Sequence, residues 1–386
     1  MAGINHERVV ASKDKGLFSD WNADHKQKGD HDCEQHQHLN HVWENRNDWP
    51  AGPVVGQVVY RTDFNNFFGW NGTGWQSLTP VATVVVAADG TGNYLTIQEG
   101  VDALPATGGV IYVKEGTYTS ATRITINKDT VSIKGAGHGT IITNSLGDVH
   151  LIEVAVNTDY FTIEDVLFKP TVALGGLGAV VIFLGATTKS RISNCWFDDW
   201  EPRGVSFGGA GEGIIVENCV FEAIAGGGPN YAILVNHSSY GYLRGNFVYG
   251  GTNCYGIQLA GGIIHHMSIL DNKIYNCEAG ITVAGVGEEV VVGNTLAGFT
   301  YGIWLTNARN TTITGNYLES GTVGILLNAN SDYNVIGNNR VNDCDWGIIL
   351  NAAAEDKNIV VANGLVGNTN ALLDNGTATE VAHNTS

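Results

Sequence analysis

Ile269-Leu270-Asp271-Asn272-Lys273-Ile274 and Thr312-Ile313-Thr314-Gly315-Asn316-Tyr317-Leu318 are two copies of one unit: a short apolar strand, an asparagine, and a second short strand. The asparagines of this series stand at 194, 218, 246, 272, 294, 316 and 338, at intervals of 24, 28, 26, 22, 22 and 22 residues, and Asn363 extends it. Eight to ten residues after each Asn (a little more at 218) a small residue precedes a β-branched one: Gly204-Val205, Ala232-Ile233, Gly256-Ile257, Gly280-Ile281, Gly302-Ile303, Gly324-Ile325 and Gly347-Ile348. A period of this size with two or three strands per unit is one turn of a parallel β-solenoid. Leucine-rich repeats share the period, but their leucine grid is missing. Asparagine suits the corner because it tolerates the left-handed conformation and its amide can bond the amide one coil above.

Upstream, Thr83 to Val86 reads as a strand and Asp89-Gly90-Thr91-Gly92-Asn93 as a turn. Ile97, Val101 and Leu104 at i, i+4 and i+7 predict one short helix. Several short alternating strands follow, from Val110-Ile111-Tyr112-Val113 to Val131-Ser132-Ile133. Residues 1 to about 80 differ: they hold 5 of the 9 Trp and 6 of the 12 His. A polar arm ends at Trp49-Pro50-Ala51-Gly52-Pro53. Strands at Gly56–Asp63, Phe67–Trp70 and Gly74–Leu78, with an Asn71-Gly72 hairpin turn, then predict a small meander. Three such strands are too few to be stable alone. The domains read as 1–80, an adaptor; 81–375, the solenoid; and 376–386, a tail.

The composition agrees with many tight turns: 51 Gly, 37 Asn and 7 Pro in 386 residues, with charged residues at 15%. Glycine without a Gly-X-Y period excludes collagen. An apolar fraction of 43% excludes a disordered chain, and the apolar runs are too short to span a bilayer. The formal charge of −18 argues against a nucleic-acid partner, and beyond residue 80 only 13 basic side chains face 28 acidic ones. Met1–Val10 has no apolar signal core, so we expect synthesis in a cytosol. Six cysteines in that setting are expected as free thiols.

Residues 83 to about 370 resemble the right-handed parallel β-helices of the pectin lyase-like superfamily, through Ala88–Tyr94, Gly116-Thr117-Tyr118, Gly135-Ala136-Gly137 and the repeats. Gly56–Thr62 followed by Phe68–Trp75 is similar to a short module of phage tail fibres and tailspikes. Together these resemblances imply an all-β, right-handed parallel β-helix with a small N-terminal adaptor, of the tailspike kind. They imply a virion tail protein that recognises, and by one reading hydrolyses, a host surface polysaccharide. The alternatives are a structural filament or a secreted polysaccharide-degrading enzyme. The Gln, two Asp and Arg of the pectin methylesterases have no counterpart. Of the polygalacturonase motifs, Asp198-Asp199 and Gly137-His138-Gly139 occur in the wrong order, and Arg191-Ile192-Ser193 lacks the lysine.

Aligning coils on Asn194, Asn218 and Asn246 stacks Asp198 on Glu222, about 4.8 Å apart, near the separation of a retaining glycosidase pair. Asp199 joins them as a candidate catalytic acid, with Glu201, Glu212, Glu217 and Arg203 nearby. Crowded like charges raise one pKa, as an acid catalyst requires; a solvated acidic turn is the competing reading. The same alignment stacks Phe197, Phe221, Tyr249 and Tyr275 as an outward, sugar-stacking ladder, or as rings buried under turns. His36, His38 and His41, with His31 and Cys33, form a candidate transition-metal set in the arm, and no other cofactor is required. Trp304, Leu326 and Ile349 stack as an outward apolar strip, read as the interface of a homotrimer. Tail or baseplate proteins are the expected partners of residues 1–80, and the expected location is the virion.

Overall fold

The computed structural model describes residues 45–62, 66–70, 72–73, 75–77, 83–145, 147, 150–176, 178–222, 229–285 and 287–386. The candidate metal set at His31, Cys33, His36, His38 and His41 lies outside them. Four strands form an N-terminal sheet in chain order: β1 (Asn45–Arg46), β2 (Val58–Arg61), β3 (Asn66–Trp70) and β4 (Trp75–Ser77). β2, β3 and β4 are the expected antiparallel meander, and β1 adds in parallel. Trp49 stacks on Trp75 at 5.3 Å and meets the edge of Phe68 at 5.1 Å, with the Arg61 guanidinium 4.0 Å above its ring.

The solenoid opens at Thr83–Val86. Helix α1 (Ile97–Ala103) covers the first coils and buries Ile97 and Val101. Thr96 caps it and Glu99 bonds back to the cap backbone, a reciprocal capping box. Later coils carry three strands each. Val290–Val292, Thr295–Ala297 and Tyr301–Thr306 make up one coil, and we call their faces first, second and broad. Each strand pairs in parallel with its equivalent in the next coil. The result is a right-handed parallel β-helix, the hand that parallel crossovers take almost without exception.

Alternation sets the core. Ile257, Ile281, Ile303, Ile325 and Ile348 are in register along the broad face and fully buried. The residue before each must be small. A Cβ on Gly280 would stand 2.3 Å from Leu296 Cδ2, and one on Gly302 would stand 2.5 Å from the Gly324 carbonyl oxygen. The small–β-branched pairs of the sequence are therefore a packing rule.

The asparagine ladder is shorter at one end and longer at the other than the repeat suggested. Its rungs are Asn246, Asn272, Asn294, Asn316, Asn339, Asn363 and Asn384, each Nδ2 donating to the next Oδ1 at 2.9–3.0 Å. Asn194, Asn218 and Asn338 stand one residue earlier, in the left-handed corner with φ of 53°, 53° and 55°. Gly245, Gly293 and Gly315 take that corner in other coils. In the early coils the rung position itself holds Cys195 and Cys219, the latter donating its N–H to Asn246 Oδ1 at 3.0 Å.

This offset of one residue overturns part of the ladder of aromatics, because a one-residue slip sends every side chain to the other face. Phe197 and Phe221 are fully buried and stack at 4.5 Å. Phe221 is in register with the core residue Val248. They are core residues and are withdrawn as glycan-binding candidates. The C-terminal boundary also moves. Glu380–Ala382 pairs with Ile359–Val361, and Asn384 ends the ladder, so 376–386 belongs to the solenoid and is not a separate tail.

Candidate functional site

Asp198 and Glu222 are register partners at the ends of neighbouring second-face strands. Tyr249 and Tyr275 continue that outward column, so the four side chains Asp198, Glu222, Tyr249 and Tyr275 share one line. Glu222 is exposed. Asp198 is tied by Lys169, whose Nζ lies 2.6 Å from its Oδ2. The chain then turns sharply: Asp199 takes φ of 60°, Trp200 is fully buried, and Glu201 accepts a hydrogen bond from Asn230 Nδ2 at 3.0 Å. Burial first, and the charge of Asp199 second, push the Glu201 carboxyl above the ordinary carboxylate range. The crowding foreseen for these acids thus acts on Glu201. Glu217 is buried between Arg191 and Arg244, the second at 2.7 Å, and is an ion-paired structural acid.

Arg203 opens the broad face two residues further on. Its column continues through Tyr231, Tyr255, Ala279, Tyr301, Val323 and Trp346 in successive coils. Tyr231 and Tyr255 stack at 5.1 Å with 27° between ring planes. The neighbouring outward column runs Ser206, Leu234, Gln258, Thr282, Trp304, Leu326 and Ile349. Tyr301 and Trp304 meet across the two columns at 4.9 Å. The strip at Trp304, Leu326 and Ile349 is therefore continuous with the tyrosine column, and its own chain already covers Leu326 to 8% exposure.

Beside the tyrosines, the turns that enter the broad face leave a cleft of about 580 Å³, lined by Gly251, Thr252, Asn253, Asn276, Cys277, Glu278, Gly298, Phe299 and Thr300. That volume suits a small-ligand site. Burial, then the Glu278 charge, raises the Tyr255 hydroxyl. Cys277 and Cys254 lie in the core behind the cleft with sulfurs 3.5 Å apart and unbonded, and all five described cysteines are free. Among the described residues no group of three or more His, Cys, Asp or Glu side chains is placed to hold a metal ion.

The sequence reading brought Asp198, Asp199 and Glu222 together and missed Tyr231, Tyr255, Tyr301 and Trp346. A signal was available. Each stands immediately before one of the small–β-branched pairs, and an aromatic recurring at that place marks an outward column.

Two family profiles match the chain: "Pectinesterase" over residues 83–202 and "Periplasmic copper-binding protein (NosD)" over residues 211–386. Pectinesterase 2.1 of Solanum lycopersicum is 37% identical over 130 residues, 31% of this chain. The chain spans 24% of that enzyme's length. Among solved structures, PfbA, a surface adhesin of Streptococcus pneumoniae, superposes with a TM-score of 0.59 at 13% identity, over 75% of this chain and 88% of its own. The A-module of the Azotobacter vinelandii mannuronan C-5 epimerase AlgE4 gives 0.57 at 16% identity, over 74% and 94%. At such identities the likeness is one of fold.

Proposed function

We propose, taking this chain as a pectin lyase-like right-handed parallel β-helix, that it acts on an extended polysaccharide lying lengthwise on the broad face. The observation that carries this reading is the column Tyr231, Tyr255, Tyr301 and Trp346, whose upstream end leads to the acids at 198–201. Aromatic rings offer flat apolar area with a polar tip at low entropic cost, which suits sugar rings. Glycosidic cleavage needs a proton donor and a second carboxylate. Glu201, whose pKa burial raises, takes the donor's part in this scheme. Asp199, Asp198 and Glu222 are the candidates for the second carboxylate. The pectinesterase relatives support a carbohydrate-acting protein, although the residues that methylesterases use have no counterpart here.

The test is reducing-end release from a panel of polysaccharides. Glu201→Gln should abolish release while leaving binding intact, and Tyr255→Ala with Tyr301→Ala should abolish binding. Unchanged turnover in Glu201→Gln would remove it as the acid.

A second reading is favoured by the adaptor sheet, which leaves Val54 and Val55 67% and 75% exposed and Trp49 41% exposed. In it, residues 1–80 attach a tailspike-type homotrimer to a virion, and Trp304, Leu326 and Ile349 meet on the threefold axis. Mass photometry separates the readings: a trimer that Trp304→Lys with Leu326→Lys converts to monomers supports the second, and a wild-type monomer removes it.

A further inference from the structure

Charge along the broad face is distributed one way. From residue 204 to the end there are 15 acidic and 5 basic side chains. Arg244 pairs with Glu217 on the first face. Arg309 pairs with Asp332, and Lys357 with Asp356, at turns that precede first-face strands. Lys273 and Arg340 stand on second-face strands. No Lys or Arg falls in the broad-face strands from Asn230 to Asp374, or in the turns that enter them from Gly250 onward. Those turns do carry acids. Glu278 lines the cleft, and Asp343 and Asp345 are exposed in the turn before Trp346.

From Tyr255 onward the fixed charges beside the tyrosine column are therefore negative, and low-dielectric walls strengthen the effect of such charges inside a cleft. A polyanion laid along it past Tyr231 would meet like charge without a Lys or Arg to offset it; the one guanidinium of the column, Arg203, stands at its upstream end beside the acids at 198–201. The polar side chains of the neighbouring column, Gln258, Thr282 and Trp304, are neutral, and their Oε1, Oγ1 and Nε1 atoms are covered and have no partner within the protein. Amide, hydroxyl and indole groups of this kind complement sugar hydroxyls, which donate and accept.

We propose that the broad face takes an electrically neutral polysaccharide and rejects polyuronates, a selectivity that rests on reading this face as the sugar track. The rejecting elements are Glu278 and, three coils further on, Asp343 and Asp345, and the attracting element is the tyrosine column. Specificity of this sort is a difference of affinities that repulsion can supply.

Affinity electrophoresis of the full chain tests it, with gels containing polygalacturonate or alginate, each with and without calcium. Matching gels would contain fully methyl-esterified homogalacturonan, glucan, galactan or mannan. The expected result is retardation by at least one neutral polymer, about tenfold or more tighter than by any polyuronate, or about 1.4 kcal/mol. Tyr255→Ala with Tyr301→Ala should abolish it. Glu278→Gln with Asp345→Asn should narrow the gap by admitting the polyuronate. Retardation by a polyuronate as strong as by the neutral polymers would overturn the selectivity and leave the track standing. Retardation by no polymer, or retardation indifferent to the tyrosine substitutions, would overturn the track and the selectivity with it.

Discussion

The coils around Cys195 and Cys219 and those from Asn246 onward have one backbone path and two kinds of interior. In the early coils the rung position holds thiols, and the core beside it is a stack of rings: Phe168, Phe197 and Phe221 with spacings of 4.9 and 4.5 Å, closed by Trp200. In the later coils the rungs are hydrogen-bonded amides and the core is mostly Ile, Leu and Val. The amide ladder satisfies itself from coil to coil and so repeats without interruption. The aromatic coils are irregular and carry the acid loop at 198–201. The regular part offers a track and the irregular part offers chemistry, a division familiar where a rigid scaffold positions variable loops.

The largest expected effect tests the aromatic half. Phe197 is fully buried between two rings. Phe197→Ala should cost about 3–5 kcal/mol, from lost burial and the cavity left behind. Urea unfolding measures it, and a loss below about 1 kcal/mol would mean that the ring is not in the core.

The next effect lies where the interior changes character on the first face. In the column Ile214, Gly241, Met267, Glu289, Thr311, Asn334 and Asn358, apolar residues give way to polar ones at Glu289. Its carboxylate oxygens are buried without partners, and burial, with the charge of Glu288, pushes it up to about 8. The folded state then holds its proton more tightly than the unfolded chain. Its stabilising contribution is complete below about pH 4.5 and is lost as pH rises toward 8. Glu289→Gln removes this dependence, so it should be nearly neutral at pH 4.5 and stabilising at pH 9, by as much as about 1.4 kcal/mol for each unit of the rise. Melting temperatures of both proteins across that range decide it, and parallel curves would refute the shift.

How far the sequence disclosed this molecule follows from the same contrast. A strict strand–Asn–strand repeat with a small–β-branched pair is imposed by stacking, so the parallel β-helix and the outward line through Trp304, Leu326 and Ile349 are legible, as is the short helix at Ile97 from its own apolar spacing. The early coils are not, because Asn194 and Asn218 look like rungs while serving as left-handed corners. That ambiguity is a single residue wide, yet it turned Phe197 and Phe221 inside out. The pairing of Asp198 with Glu222 was legible, since both strands carry the same offset. Glu201 was not, because its environment depends on Asn230 from the next coil and on its own burial.

The smallest effect sharpens the comparison by exchanging rung chemistry between the two halves. Asn294 Oδ1 accepts from both the N–H and the Nδ2 of Asn272, at 2.9 and 3.0 Å, and Asn294 Nδ2 donates to Asn316 Oδ1 at 2.9 Å. Asn294→Cys would leave the buried N–H of Asn272 without an acceptor and its Nδ2 with the Leu243 carbonyl alone, at a cost of about 2 kcal/mol, an unsatisfied buried group costing about 1–3 kcal/mol. Cys219 sits at the same place two coils before Asn272, donating weakly to the Ile192 carbonyl, as Asn272 Nδ2 donates to the Leu243 carbonyl. Cys219→Asn should therefore find acceptors ready, in Ile192 O and Asn246 Oδ1, and change stability by less than about 1 kcal/mol. The asymmetry is the point: an amide is required where its neighbour is an amide and optional where its neighbour is a thiol. Chemical unfolding of the two variants side by side reads it. Equal losses at 294 and 219 would mean that the early coils reject the amide on volume, and that the two interiors are distinct packings instead of one corner with two fillings.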